Sequence, residues 1–144
     1  MIVAVLDTNT IVSAILEPRG IPNRILEAAR GQQFTLATSA VIIAEVLTTL
    51  NRDRIRRKYR INPTDLERLR DLLERDTACT AINHDARGVA TRPEDDLILA
   101  TAVSAEAQYL VTGDAKLQRL RHYQGVTIVN PREFVEILQS QQLE

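Results

Sequence analysis

With 144 residues, 44% apolar and 26% charged, the chain has the size and composition of one folded domain and is too hydrophobic to be disordered. A formal net charge of −1 excludes a globally basic nucleic-acid binder, and no apolar run approaches the ~20 residues of a membrane span. Cys79 is the only cysteine, which excludes an internal disulfide and fits a reducing cytoplasm, so a cytoplasmic protein without membrane attachment is expected.

Residues 1–6 have neither a basic flank nor a cleavage site, so they read as strand and not as signal peptide. Residues 2–6 are apolar on both faces, as a central parallel strand should be. Residues 10–16 read as a helix ended by Pro18 and Gly20, and 22–30 as a second helix stopped by Gly31. A short strand follows at 34–37; Ser39 then caps a helix to about Leu50, which the basic run beyond it can extend. Asn62 and Pro63 start a helix through Arg75, with Asp65 at its third position. Residues 78–82 read as strand, and 83–93 as a loop containing Gly88 and Pro93. A helix over 94–106, a strand over 109–112, a short helix over 115–120 and a last strand over 126–129 follow. Asn130-Pro131-Arg132-Glu133 carries the cap signature of a final helix. Strands alternating with longer helices, without repeats or a linker, indicate one α/β domain over 1–144 with a parallel sheet.

Four acids stand out against this pattern. Asp7 ends the first apolar strand, Glu45 interrupts an apolar helix, Asp96 opens Leu97-Ile98-Leu99-Ala100, and Asp114 follows Tyr109-Leu110-Val111-Thr112-Gly113. A buried carboxylate without a partner is costly, and a shared divalent cation would justify all four. Ligands of open parallel sheets bind beyond the C-terminal strand ends, where Asp7 and Asp114 fall. Converging carboxylates repel by ~4 kcal/mol per pair at ~4 Å and an effective dielectric of ~20. An all-oxygen set suits Mg²⁺ or Mn²⁺, which supports phosphoryl chemistry, and no His or Cys cluster argues for zinc. Plainer readings stand beside this one: Asp7 as a helix cap, Asp96 as a partner of the helix dipole, Asp114 as a turn or cap residue.

Sixteen of the eighteen basic residues are Arg. Arg52, Arg54, Arg56, Arg57, Lys58 and Arg60 crowd into nine residues, either as a phosphate-binding patch or as a solvated helix face.

Five stretches together resemble PIN-domain endoribonucleases, particularly VapC-like toxins of toxin–antitoxin pairs. They are Val5-Leu6-Asp7-Thr8-Asn9; Ser39-Ala40-Val41-Ile42-Ile43-Ala44-Glu45-Val46; Asp95-Asp96-Leu97-Ile98-Leu99-Ala100-Thr101-Ala102; Tyr109-Leu110-Val111-Thr112-Gly113-Asp114; and Ile128-Val129-Asn130-Pro131-Arg132-Glu133-Phe134. The resemblance implies a PIN-like three-layer α/β fold with a parallel five-stranded sheet flanked by helices. It also implies an acidic Mg²⁺ or Mn²⁺ site that cleaves single-stranded segments of RNA, a homodimer, and a small antitoxin partner whose tail blocks the site. Asp7, Glu45, Asp96 and Asp114 match the family's metal-binding and catalytic acids, with Thr8, Asn9, Asp95 and Thr112 in support. Arg52, Arg54, Arg56, Arg57 and Arg60 are expected to contact RNA or the partner.

Asp95 and Asp96 point ~100° apart on a helix, and their periodicity barely separates them. The resemblance favours Asp96 as the metal acid and Asp95 as its support. Arg92-Pro93-Glu94 departs from relatives, which often carry further acids there. Two alternatives remain. A haloacid-dehalogenase-like phosphatase would want a second Asp where Asn9 stands, and a non-catalytic PIN-like module binding RNA or protein would have no need of four acids.

Overall fold

The computed structural model describes residues 1–90 and 92–142. Its strands are β1 (Val3–Leu6), β2 (Thr35–Thr38), β3 (Ala78–Cys79), β4 (Tyr109–Val111), β5 (His122–Tyr123) and β6 (Val126–Val129). Its helices are α1 (Thr8–Leu16), α2 (Ile21–Arg30), α3 (Ala40–Leu50), α4 (Asp53–Tyr59), α5 (Pro63–Arg75), α6 (Pro93–Ser104), α7 (Ala115–Gln118) and α8 (Pro131–Gln142).

The strands form one sheet in the order β3-β2-β1-β4-β6-β5. β1 lies at its centre and pairs in parallel with β2 and β4, with Ala4 opposite both Leu36 and Tyr109. Ala4, Val5 and Leu6 are fully buried, which is why this strand reads as a continuous apolar run. Helices flank the sheet: α6 lies against β1, β2 and β4, while α1 packs on α2 and α3, and α2 on α8. Phe34 and Phe134 meet edge to face with ring centroids 5.0 Å apart, and Tyr109 joins them from β4. Among the described residues no helix is long and apolar enough to cross a membrane.

Among the described residues the sheet has six strands, not the expected five. β5 is a two-residue strand pairing antiparallel with β6, and it carries no apolar alternation to announce it. The strand expected over 78–82 shrinks to Ala78–Cys79, both exposed. The basic run does not extend the preceding helix. α3 ends at Leu50, Arg52 takes an extended conformation (ψ 136°), and α4 begins anew at Asp53.

Capping chemistry sets the remaining bounds. Asn62 and Asp65 cap α5 reciprocally, each side chain accepting from the other's backbone N–H. Asn130 and Glu133 do the same for α8. Asp7 accepts from Thr10 N at 2.9 Å, so α1 starts two residues before its apolar periodicity does.

Candidate active site

The C-terminal ends of β1 and β4 are adjacent in the sheet, and the two acids beyond them meet through one hydroxyl. Thr112 Oγ1 donates to Asp7 Oδ2 at 2.5 Å and accepts from the backbone N of Asp114 at 3.0 Å. Thr112 is fully buried, so this link is shielded from water. Asp7 is itself buried, and its other oxygen holds the α1 cap. Burial pushes its carboxyl pKa up; the Thr10 and Thr112 hydrogen bonds oppose the rise, and the charge of Asp95 adds to it. Asp114 caps α7 through Lys116 N at 2.9 Å and stays partly exposed.

Glu45 projects from the second turn of α3, between exposed Ala44 and Thr48. It is half-buried rather than enclosed, because this stripe of an otherwise apolar helix forms a cleft wall. Thr8 Oγ1 donates to Glu45 Oε2 at 2.7 Å, which ties α3 to the start of α1. Asn9 stands between two adjoining hollows of about 520 and 410 Å³. Asp7, Asn9 and Arg92 line both, Asp114 and Lys116 the larger, Glu45, Arg52 and Asp95 the smaller.

The paired aspartates divide differently from the expectation. Both are buried, but their carboxylates find different partners. Asp95 faces the cleft, where its Oδ2 lies 3.3 Å from Arg92 Nε. Asp96 turns to the preceding loop, accepting from Gly88 N at 3.0 Å and Ala90 N at 2.6 Å. Gly88 has φ +79°, which glycine adopts without strain, and two amides of this turn find their acceptor in Asp96. The structure thus brings together Asp7, Glu45, Asp95 and Asp114, and places the Asp96 carboxylate in the fold of a loop. A glycine turn eight residues before an acid was the available signal.

Arg92 is the residue that the sequence marked as a departure but to which it assigned no role. It precedes α6, pairs with Asp95 and reaches to 4.0 Å from Asp114 Oδ2. Its hydrogen bond to Asp95 holds the guanidinium pKa above its ordinary value. Of the expected arginines, Arg52 lines the cleft, whereas Arg56 is turned to Asp53 at 2.7 Å and Arg54, Arg57 and Arg60 lie exposed on or beside α4.

Every carboxylate donor here is hard oxygen, a set that matches Mg²⁺ or Mn²⁺ in chemistry. Among the described residues, no group of three or more His, Cys, Asp or Glu side chains is arranged to hold a metal ion. Two of the oxygens such an ion would use face the Arg92 guanidinium.

A profile of the PIN domain matches residues 3–116, and the chain belongs to the PIN-domain family. Members of this family are nucleases that generally use divalent metals. The match sets aside the phosphatase alternative. An uncharacterised protein of Methanocaldococcus jannaschii is 28% identical over 140 residues, covering 92% of this chain and 88% of the relative. Among solved structures, VapBC2 from Rickettsia felis bound to a DNA fragment from their promoter aligns with a TM-score of 0.61 and 18% identity, over 90% of this chain and 98% of that one. FitAcB from Neisseria gonorrhoeae aligns with a TM-score of 0.54 and 18% identity, over the same shares. At these identities the two structures establish the fold: a mostly parallel PIN-like sheet flanked by helices.

Proposed function

We propose that this protein is a metal-dependent endoribonuclease that hydrolyses phosphodiester bonds in single-stranded RNA segments. The observation that carries this reading is the placing of Asp7, Glu45, Asp95 and Asp114 along two adjoining hollows that share Asp7, Asn9 and Arg92, at the C-terminal edge of a PIN-family sheet. The four supply the hard oxygens that Mg²⁺ or Mn²⁺ takes, and drawn together around such an ion they would hold it where it activates water and neutralises charge on the phosphate. Thr112 and Thr8 fix the orientations of Asp7 and Glu45, so those carboxylates need not reorganise during reaction. Arg52 in the smaller hollow and Lys116 in the larger supply positive charge, which offsets the repulsion between the acids and a phosphate backbone.

The biological setting we propose is that of a toxin held by a small antitoxin, with the toxin acting as a homodimer. The five stretches shared with VapC-like toxins support it, as does fold likeness to chains solved in VapBC2 and FitAcB. The test is incubation with total RNA and Mg²⁺, followed by mapping of the cut ends. Discrete cuts that vanish in EDTA are expected. Full cleavage by chelated protein would defeat the metal mechanism, and RNA binding with no cuts would make the chain a binding module.

A further inference from the structure

We infer that Arg92 and a divalent cation compete for the same two carboxylates, so that metal entry and release of the Arg92 side chain are one event. The inference rests on the metal-dependent reading above.

Arg92 stands where two acids from different elements face each other. Asp95 belongs to the first turn of α6 and Asp114 to the segment after β4, and the guanidinium spans them, 3.3 Å from Asp95 Oδ2 and 4.0 Å from Asp114 Oδ2. Arg52 and Lys116 also line the cleft, yet neither is ion-paired to a described residue. The bridge is therefore specific to Arg92. The three side chains differ in their freedom to move: Asp95 is 7% exposed, Asp114 30% and Arg92 56%. The acids are held by the fold, whereas the arginine reaches in from solvent and can return to it.

A doubly charged ion on either of those oxygens would lie ~5 Å from the guanidinium, where repulsion is about ten times thermal energy at an effective dielectric of ~20. Both cannot occupy the gap.

Calorimetric titration of Mn²⁺ into the chelator-stripped full chain tests this without reference to cleavage. Arg92→Gln is expected to bind Mn²⁺ at least about tenfold more tightly than wild type. Arg92→Lys keeps the charge but loses the planar fork, and is expected to fall between them. Arg87→Gln removes a charge from the same loop, but Arg87 pairs with exposed Asp85, so affinity should stay within about twofold. Equal Mn²⁺ affinity in Arg92→Gln and wild type, with binding lost in Asp95→Asn, would overturn the inference and leave the metal site standing. No Mn²⁺ binding by any variant would overturn both. If Arg92→Gln does not fold by circular dichroism, Arg92→Lys decides: tighter binding than wild type supports competition, and equal binding refutes it. In wild type, the Arg92 Nε–H resonance should also shift in step with Mg²⁺ saturation, and a resonance unmoved at saturation would refute the inference.

Discussion

The side chain of Thr112 donates a 2.5 Å hydrogen bond to Asp7 across 105 positions of sequence. It joins the ends of two neighbouring parallel strands, and it does so where burial would otherwise leave a carboxylate oxygen without water or donor. Replacing Thr112 by Val keeps the shape and removes the hydroxyl. The expected loss is ~1.5–3 kcal/mol of stability in urea unfolding, since both Asp7 and the Asp114 amide lose a partner, while Thr112→Ser should recover most of it. Unfolding curves that superimpose on wild type would deny the link its role.

Asp7→Asn separates stability from chemistry. An acid whose folded-state pKa is raised binds more protons folded than unfolded, so stability falls as pH climbs from 3.8 through the raised value. Asn carries no charge to bury. Above that window the variant should be as stable as wild type or more so, measured in EDTA, and the difference should close as pH drops below 3.8. Cleavage should fall by about 100-fold or more, the scale of losing one electrostatic stabiliser of a transition state. A variant that unfolds would leave Asp7 as a cap alone, and one with full activity would remove it from the reaction.

Asp95 and Asp96 should part company under mutation. Asp95→Asn should abolish most cleavage with little change in fold. Asp96→Asn leaves one acceptor for two amides, so ~1–3 kcal/mol of stability should go and hydrogen exchange at Gly88 and Ala90 should quicken. Near-wild-type cleavage by Asp95→Asn at saturating Mg²⁺ would reverse our assignment.

The arginines near α4 should also be unequal. Arg52→Gln should weaken RNA binding more than Arg56→Gln, because Arg52 lines the acidic cleft and Arg56 is engaged by Asp53. Neutralising Arg54, Arg57 and Arg60 together should flatten the log–log salt slope by up to ~2, if each meets a phosphate of single-stranded RNA. Unchanged RNA affinity with weakened antitoxin binding would assign the patch to the partner instead.

Much of this molecule could be read in advance because its strongest signals are local. The central strand is a pure apolar run, and the helices over Pro63–Arg75 and Pro131–Gln142 are announced by paired cap residues three positions apart. The acids at strand ends were visible for the same reason. What escaped depends on contacts distant in sequence or on very short segments. β5 exists only because His122 and Tyr123 find β6. The break before α4 is a backbone turn at Arg52 that composition does not mark. The directions of Asp95 and Asp96 are set by Arg92 on one side and the Gly88 turn on the other, so a 3.6-residue period alone could not rank them.

Both borders of the sheet are two-residue strands, β3 on one side and β5 on the other. A border that short exposes few free amides and carbonyls, too few to template a growing ladder with another chain. Crowding many copies together should therefore not drive strand-to-strand fusion of native molecules. A second copy or a partner would instead have to recognise exposed side chains, and so its choice of this molecule would be read from surface chemistry rather than from backbone.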